Sequence, residues 1–92
     1  MNMAPSTPKT ARRLSPAQIR AARALLRWSA DDLAAASSVG LATIRRAELA
    51  ETHTSMTRPN DAAIRRALED AGVNFIDQNG GGEGVRLVKP AD

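Results

Sequence analysis

The chain has no cysteine and no tyrosine, and only one tryptophan, one phenylalanine and one histidine among 92 residues. Without cysteine there is neither a disulfide framework nor a thiolate zinc site. A lone histidine, His53, cannot assemble a metal site by itself. No apolar run approaches the roughly 18–20 residues of a membrane helix, and the N-terminus lacks the apolar stretch of a signal peptide. A soluble cytoplasmic protein is therefore expected. With Trp28 and Phe75 as the only aromatics, the core has to be closed by small aliphatic side chains, and the abundance of alanine points to closely packed helices. A chain of this length supports one compact domain, burying roughly 60–65% of the surface it exposes when unfolded.

Acidic residues are missing from one part of the chain. Up to Trp28 it carries Lys9, Arg12, Arg13, Arg20, Arg23 and Arg27 and no acid, and all 10 Asp and Glu residues follow. A net charge of +3 distributed in this way suits a polyanionic partner.

Residues 1–14 hold prolines, threonines and basic residues with no apolar pattern, and are expected to form a disordered basic arm. Ser15-Pro16 starts a first helix, serine as cap and proline at the first helical position, running to about Arg27 and burying Ile19, Ala22, Leu25 and Leu26. Ser29 with Asp32 three residues later is a capping box, opening a second helix over about 30–36 with Leu33, Ala34 and Ala36 as its apolar face. Ser37-Ser38-Val39-Gly40 breaks that helix, and Gly40 caps a third over about 41–49. Ile44 and Ala47 then point inward and Arg45 and Arg46 outward. Ala50–Arg58 reads as a polar loop with one turn that buries Met56. A last helix, from Pro59 or Asn60 to Ala71, buries Ala63, Ile64, Ala67 and Leu68 and is stopped by Gly72.

Beyond Gly72 the periodicity becomes strand-like. Val73–Asp77 and Val85–Val88 flank the turn signal Gln78–Gly84, which predicts a β-hairpin over 73–89. A two-stranded hairpin is marginal alone, so it has to pack on the helices or on another chain, and it is a candidate dimer contact. The glycine run lacks the lysine and hydroxyl residue of a phosphate-binding loop, and no helix follows it. Asp31, Asp32, Glu69 and Asp70 have no nucleophile or metal partner near them in the pattern, so neither an enzyme nor a cofactor is expected.

The stretch Trp28–Glu48, WSADDLAAASSVGLATIRRAE, thus reads as two short helices, a tight turn, and paired arginines on the second helix. That is the layout of a DNA-reading helix-turn-helix. Together with the opening Ser15–Arg23 and the tail Ala71–Asp77 before the glycine run, it resembles the phage-repressor (Cro/XRE-type) helix-turn-helix family of short bacterial transcriptional regulators. The likeness covers about residues 15–88. It implies a mainly α fold, a four- to five-helix repressor-type bundle with a C-terminal β-hairpin, with the DNA-binding domain over 15–72. It implies a structural ion pair between Arg23 and Glu48, a helix contact at Ala34, and core positions at Leu33, Val39, Ile44 and Ala47. Gly40, Leu41, Ala42 and Arg46 match positions that face base edges, Thr43 matches a phosphate contact, and Arg45 reaches either. Ala30 stands where the family usually has glutamine, and Ser38 replaces the turn glycine, so it has to bear any positive φ. Arg12 and Arg13 could lie along the minor groove or the phosphates.

The function these features imply is sequence-specific binding of double-stranded DNA by a homodimer on a palindromic operator, with transcription regulation, as in a repressor, as its purpose. The competing expectation is a protein-interaction module, of antitoxin or antiactivator type, that keeps the fold without strong DNA contacts. The apolar Leu41-Ala42 pair, Ala30 and Asp31 favour the latter.

Overall fold

The computed structural model describes residues 13–78 and 80–88. Arg12 and nearly all of the expected N-terminal arm lie outside the described residues. Four helices precede an antiparallel hairpin: α1 (Pro16–Leu26), α2 (Ala30–Ser37), α3 (Leu41–Leu49), α4 (Arg58–Asp70), β1 (Val73–Ile76) and β2 (Gly84–Leu87). The fold class is that of a four-helix bundle with a C-terminal β-hairpin.

Local chemistry sets the boundaries. Ser15 and Gln18 form a reciprocal capping box at the start of α1, with Pro16 in the first turn. α1 ends at Leu26 because Arg27 turns to φ 60° and returns its N–H to the carbonyls of Arg23 and Ala24. Ser29 and Asp32 box the start of α2, and two acids in that first turn sit at the positive end of the helix. Thr57 caps α4, which opens at Arg58, one residue ahead of Pro59. Gly72 follows the last turn of α4 at φ 112°, the left-handed geometry that lets the chain reverse into β1.

The core is built from one stripe of each helix and the inner face of the hairpin. Ile19 and Ala22 of α1, Leu33 of α2, Ile44 and Ala47 of α3, and Ile64 and Leu68 of α4 are fully enclosed, and Val73 and Phe75 close the end. Each large aliphatic buried in this way stabilises by about 1.5–3 kcal/mol. Leu25 was expected in this set and instead stays 40% exposed. It sits at the edge of the stripe that Ile19, Ala22 and Leu26 define, where α1 ends. Ala36 is likewise exposed, which leaves α2 a narrower apolar face than its sequence suggests.

Leu14, expected in the arm, is only 1% exposed. Its N–H donates to Asp61 Oδ1 at 3.0 Å, and the Arg13 guanidinium donates to the Met56 carbonyl. The domain thus begins one turn before α1. The hairpin pairs Val73 with Leu87 through Ile76 with Gly84. Its loop end is held to α1 by Gln18, whose Nε2 donates to the carbonyls of Ile76 (3.3 Å) and Gly84 (3.1 Å). Arg65, buried on α4, lies over the Phe75 ring at 5.2 Å from its centroid. Among the described residues no helix is long and apolar enough to cross a membrane.

Candidate nucleic-acid interface

α2 and α3 are joined by three residues, Ser38, Val39 and Gly40. Ser38 closes α2 at φ 62°, returning its N–H to Ala34. It carries the positive φ expected of it. The Ser37 hydroxyl ties the same corner, donating to the Leu33 carbonyl (2.7 Å) and accepting the Val39 N–H (3.2 Å). Val39 plugs into the core at 5% exposure and sets the direction in which the chain leaves the turn. Gly40 is the N-cap of α3 and offers no side-chain cap, so the first N–H groups of α3 lack that partner.

Along α3 the inward and outward faces separate as expected. Ile44 and Ala47 are enclosed, whereas Ala42, Arg45 and Arg46 are exposed and Leu41 and Thr43 are half-buried. Gly40 is exposed as well. The residues expected to meet DNA bases thus lie along one helix and its cap. Arg13 lies elsewhere: its guanidinium is engaged with the loop between α3 and α4 through Met56.

α3 is braced from behind by α1. Arg23 meets Glu48 side on, Nε to Oε2 and Nη2 to Oε1, both at 2.7 Å, and its Nη1 donates to the Trp28 carbonyl at 2.8 Å. The paired, planar geometry of a guanidinium on a carboxylate is the strongest form of this contact. The hydrogen bonds to Glu48 hold the Arg23 pKa above its ordinary value, against partial burial and with help from the carboxylate charge. Arg20, one turn earlier, donates to the main-chain carbonyl of Glu48. A cation on the last carbonyls of a helix also suits its negative end. The sequence analysis counted Arg20 only among the basic residues ahead of Trp28 and missed this role. The available signal was its spacing of three from Arg23, which places both on one side of α1.

Arg45 borders a shallow depression with Arg20, Arg23, Ala30 and Leu49. Leu49, at the end of α3, is 82% exposed. Where glutamine was expected, Ala30 only packs against the core. Among the described residues no three His, Cys, Asp or Glu side chains converge as a metal site would require. No family model matches the chain, and no curated protein matches it.

Proposed function

We propose that the protein binds double-stranded DNA sequence-specifically through α3, acting as a small transcriptional regulator. The observation that carries this reading is the position of Arg45 and Arg46. Both project from a helix whose opposite face is locked by Ile44, Ala47 and the Arg23–Glu48 fork. A helix held at this rigidity can present a guanidinium to a base edge with little ordering cost on binding. Arg46 is the residue suited to bidentate contact with guanine, Leu41 and Ala42 can touch thymine methyls, Gly40 matches a base-edge position and Thr43 a phosphate contact. A single such module covers about 600–1,000 Å², small for tight binding, so two copies on a two-fold symmetric operator complete the reading.

A second reading, protein binding without DNA, is favoured by Leu49, since a leucine 82% exposed at the end of the presenting helix is an apolar handle. The two separate in a salt titration followed by fluorescence anisotropy, using the DNA upstream of the protein's own coding sequence and an unrelated duplex. DNA binding predicts log–log slopes of about −0.9 per phosphate contacted. Arg46→Ala should weaken specific binding by about 1–3 kcal/mol and leave the unrelated duplex nearly unaffected. Weak binding to both duplexes with a flat salt response would replace this reading with the second one.

A further inference from the structure

We propose that the depression at the end of α3, lined by Arg20, Arg45 and Leu49, docks an acidic segment of another protein. That segment carries an aliphatic side chain beside its carboxylates, and because it engages Arg45 its docking excludes DNA from α3. The exclusion rests on the DNA-binding reading; the docking itself does not.

The charge of the depression selects an anion. Arg20, Arg23, Ala30, Arg45, Glu48 and Leu49 enclose about 200 Å³. Three guanidiniums accompany a single carboxylate there, and Arg23 already matches that carboxylate with two hydrogen bonds. The cations left for a partner are Arg20 and Arg45. Arg20 donates to the Glu48 carbonyl and so offsets the negative end of α3, which would otherwise repel an approaching carboxylate. The Arg45 side chain makes no ion pair or hydrogen bond among the described residues. Arginines gathered in this way are a recurring means of recognising acidic segments.

Leu49 selects among anions. At 82% it is the most exposed large hydrophobic residue among those described. A lone exposed leucine is ordinary on a protein surface. This one lines the same depression as two available guanidiniums, and it follows Arg45 by four positions on α3, which sets both on one side of the helix. A DNA backbone offers phosphates to the arginines but no aliphatic side chain to cover the leucine. A segment with carboxylates around a leucine, isoleucine or valine satisfies both. The space is small against the roughly 300–1,000 Å³ of a small-molecule site, so it suits one anchoring side chain rather than a free ligand. Binding through one anchor and two exposed cations is modest in affinity and sensitive to salt.

The test is fluorescence anisotropy of the full chain in low salt with a labelled synthetic helical peptide, glutamates flanking a central leucine. Two control peptides replace the glutamates by glutamine or the leucine by serine. The acidic leucine peptide should bind, and each control should bind at least about tenfold more weakly. Leu49→Gln should weaken peptide binding by about tenfold while leaving affinity for the upstream duplex within about twofold. Arg45→Glu should weaken both, each variant keeping the wild-type far-UV circular dichroism spectrum. Unlabelled peptide should release labelled upstream DNA from the protein. No binding of the acidic leucine peptide, equal binding of all three peptides, or indifference to Leu49→Gln would overturn the proposal. Peptide and duplex bound together would overturn the exclusion. A chain that binds its upstream DNA but not the peptide would overturn the docking and leave the DNA-binding reading standing. A chain that binds the peptide through Leu49 and ignores both duplexes would support the docking and remove that reading.

Discussion

Ser38 holds φ 62° on an exposed side chain, in the left-handed region where a Cβ costs an L-residue roughly 1–2 kcal/mol. Glycine would relieve that strain while adding freedom to the unfolded chain. Ser38→Gly should therefore raise stability by a net of about 0.5–1 kcal/mol. That appears as a melting temperature several degrees higher, on the scale of about 4–8 °C per kcal/mol for a domain of this size. Glu48 behaves in the opposite way. Its carboxylate is nearly enclosed and takes two N–H groups of Arg23, whose side chain is 22% exposed. Glu48→Ala strands a half-buried guanidinium, and urea unfolding should register a loss of about 2–3 kcal/mol. The Arg23–Glu48 pair was legible in the sequence through its match to a family pattern. Arg20 was not, because an arginine on an amphipathic helix looks the same whether it faces water or a carbonyl 28 positions away. Asp61, Arg65 and Gln18 escaped for the same reason: they are polar side chains enclosed by partners distant in sequence.

At the level of elements, α3 runs over the residues its periodicity predicts, because Gly40 and Ala50 bound it with extended backbone and Ile44 and Ala47 fix its inward side. α1 stops one residue short of the expected Arg27, since the left-handed turn there already belongs to the corner with α2. The hairpin's existence was plain from its β-branched strands and glycine-rich loop, whereas its mooring was not. Gln18 spans from the N-terminal turn of α1 to the Ile76 and Gly84 carbonyls, which belong to residues paired at the loop end of the ladder. A leucine there retains volume but leaves both carbonyls and the Ser15 N–H without that partner. Gln18→Leu should speed amide exchange in β1 and β2 by about tenfold or more, through local opening, with little change in α2 and α3. Equal acceleration throughout would mean that the hairpin and helices open as one unit.

Over the whole molecule, the start of the domain is tied to its last helix through one carboxylate. Asp61 accepts the Leu14 N–H, and burial raises its pKa above the ordinary value despite that hydrogen bond and the nearby charges of Arg65, Arg13 and Arg58. A folded-state carboxyl with a raised pKa contributes most below the unfolded value of about 3.9, and that contribution is lost as pH rises through the folded pKa. At neutral pH the enclosed charge thus works against folding. Asp61→Asn keeps an oxygen for Leu14 and removes the charge, so it should raise the melting temperature at pH 7. The gain should shrink on acidification and vanish below about pH 3.9. An advantage equally large at pH 3 would assign the effect to packing. Trp28 gives such experiments an unusual vantage point. It packs half-buried at the corner between α1 and α2, with its carbonyl held by Arg23, and the chain has no tyrosine. Its emission on long-wavelength excitation therefore comes from one indole beside the Arg23–Glu48 junction, while the hairpin is spectroscopically silent. Release of the hairpin and collapse of the helical corner can be timed separately in the same unmodified chain, by amide exchange for one and indole fluorescence for the other.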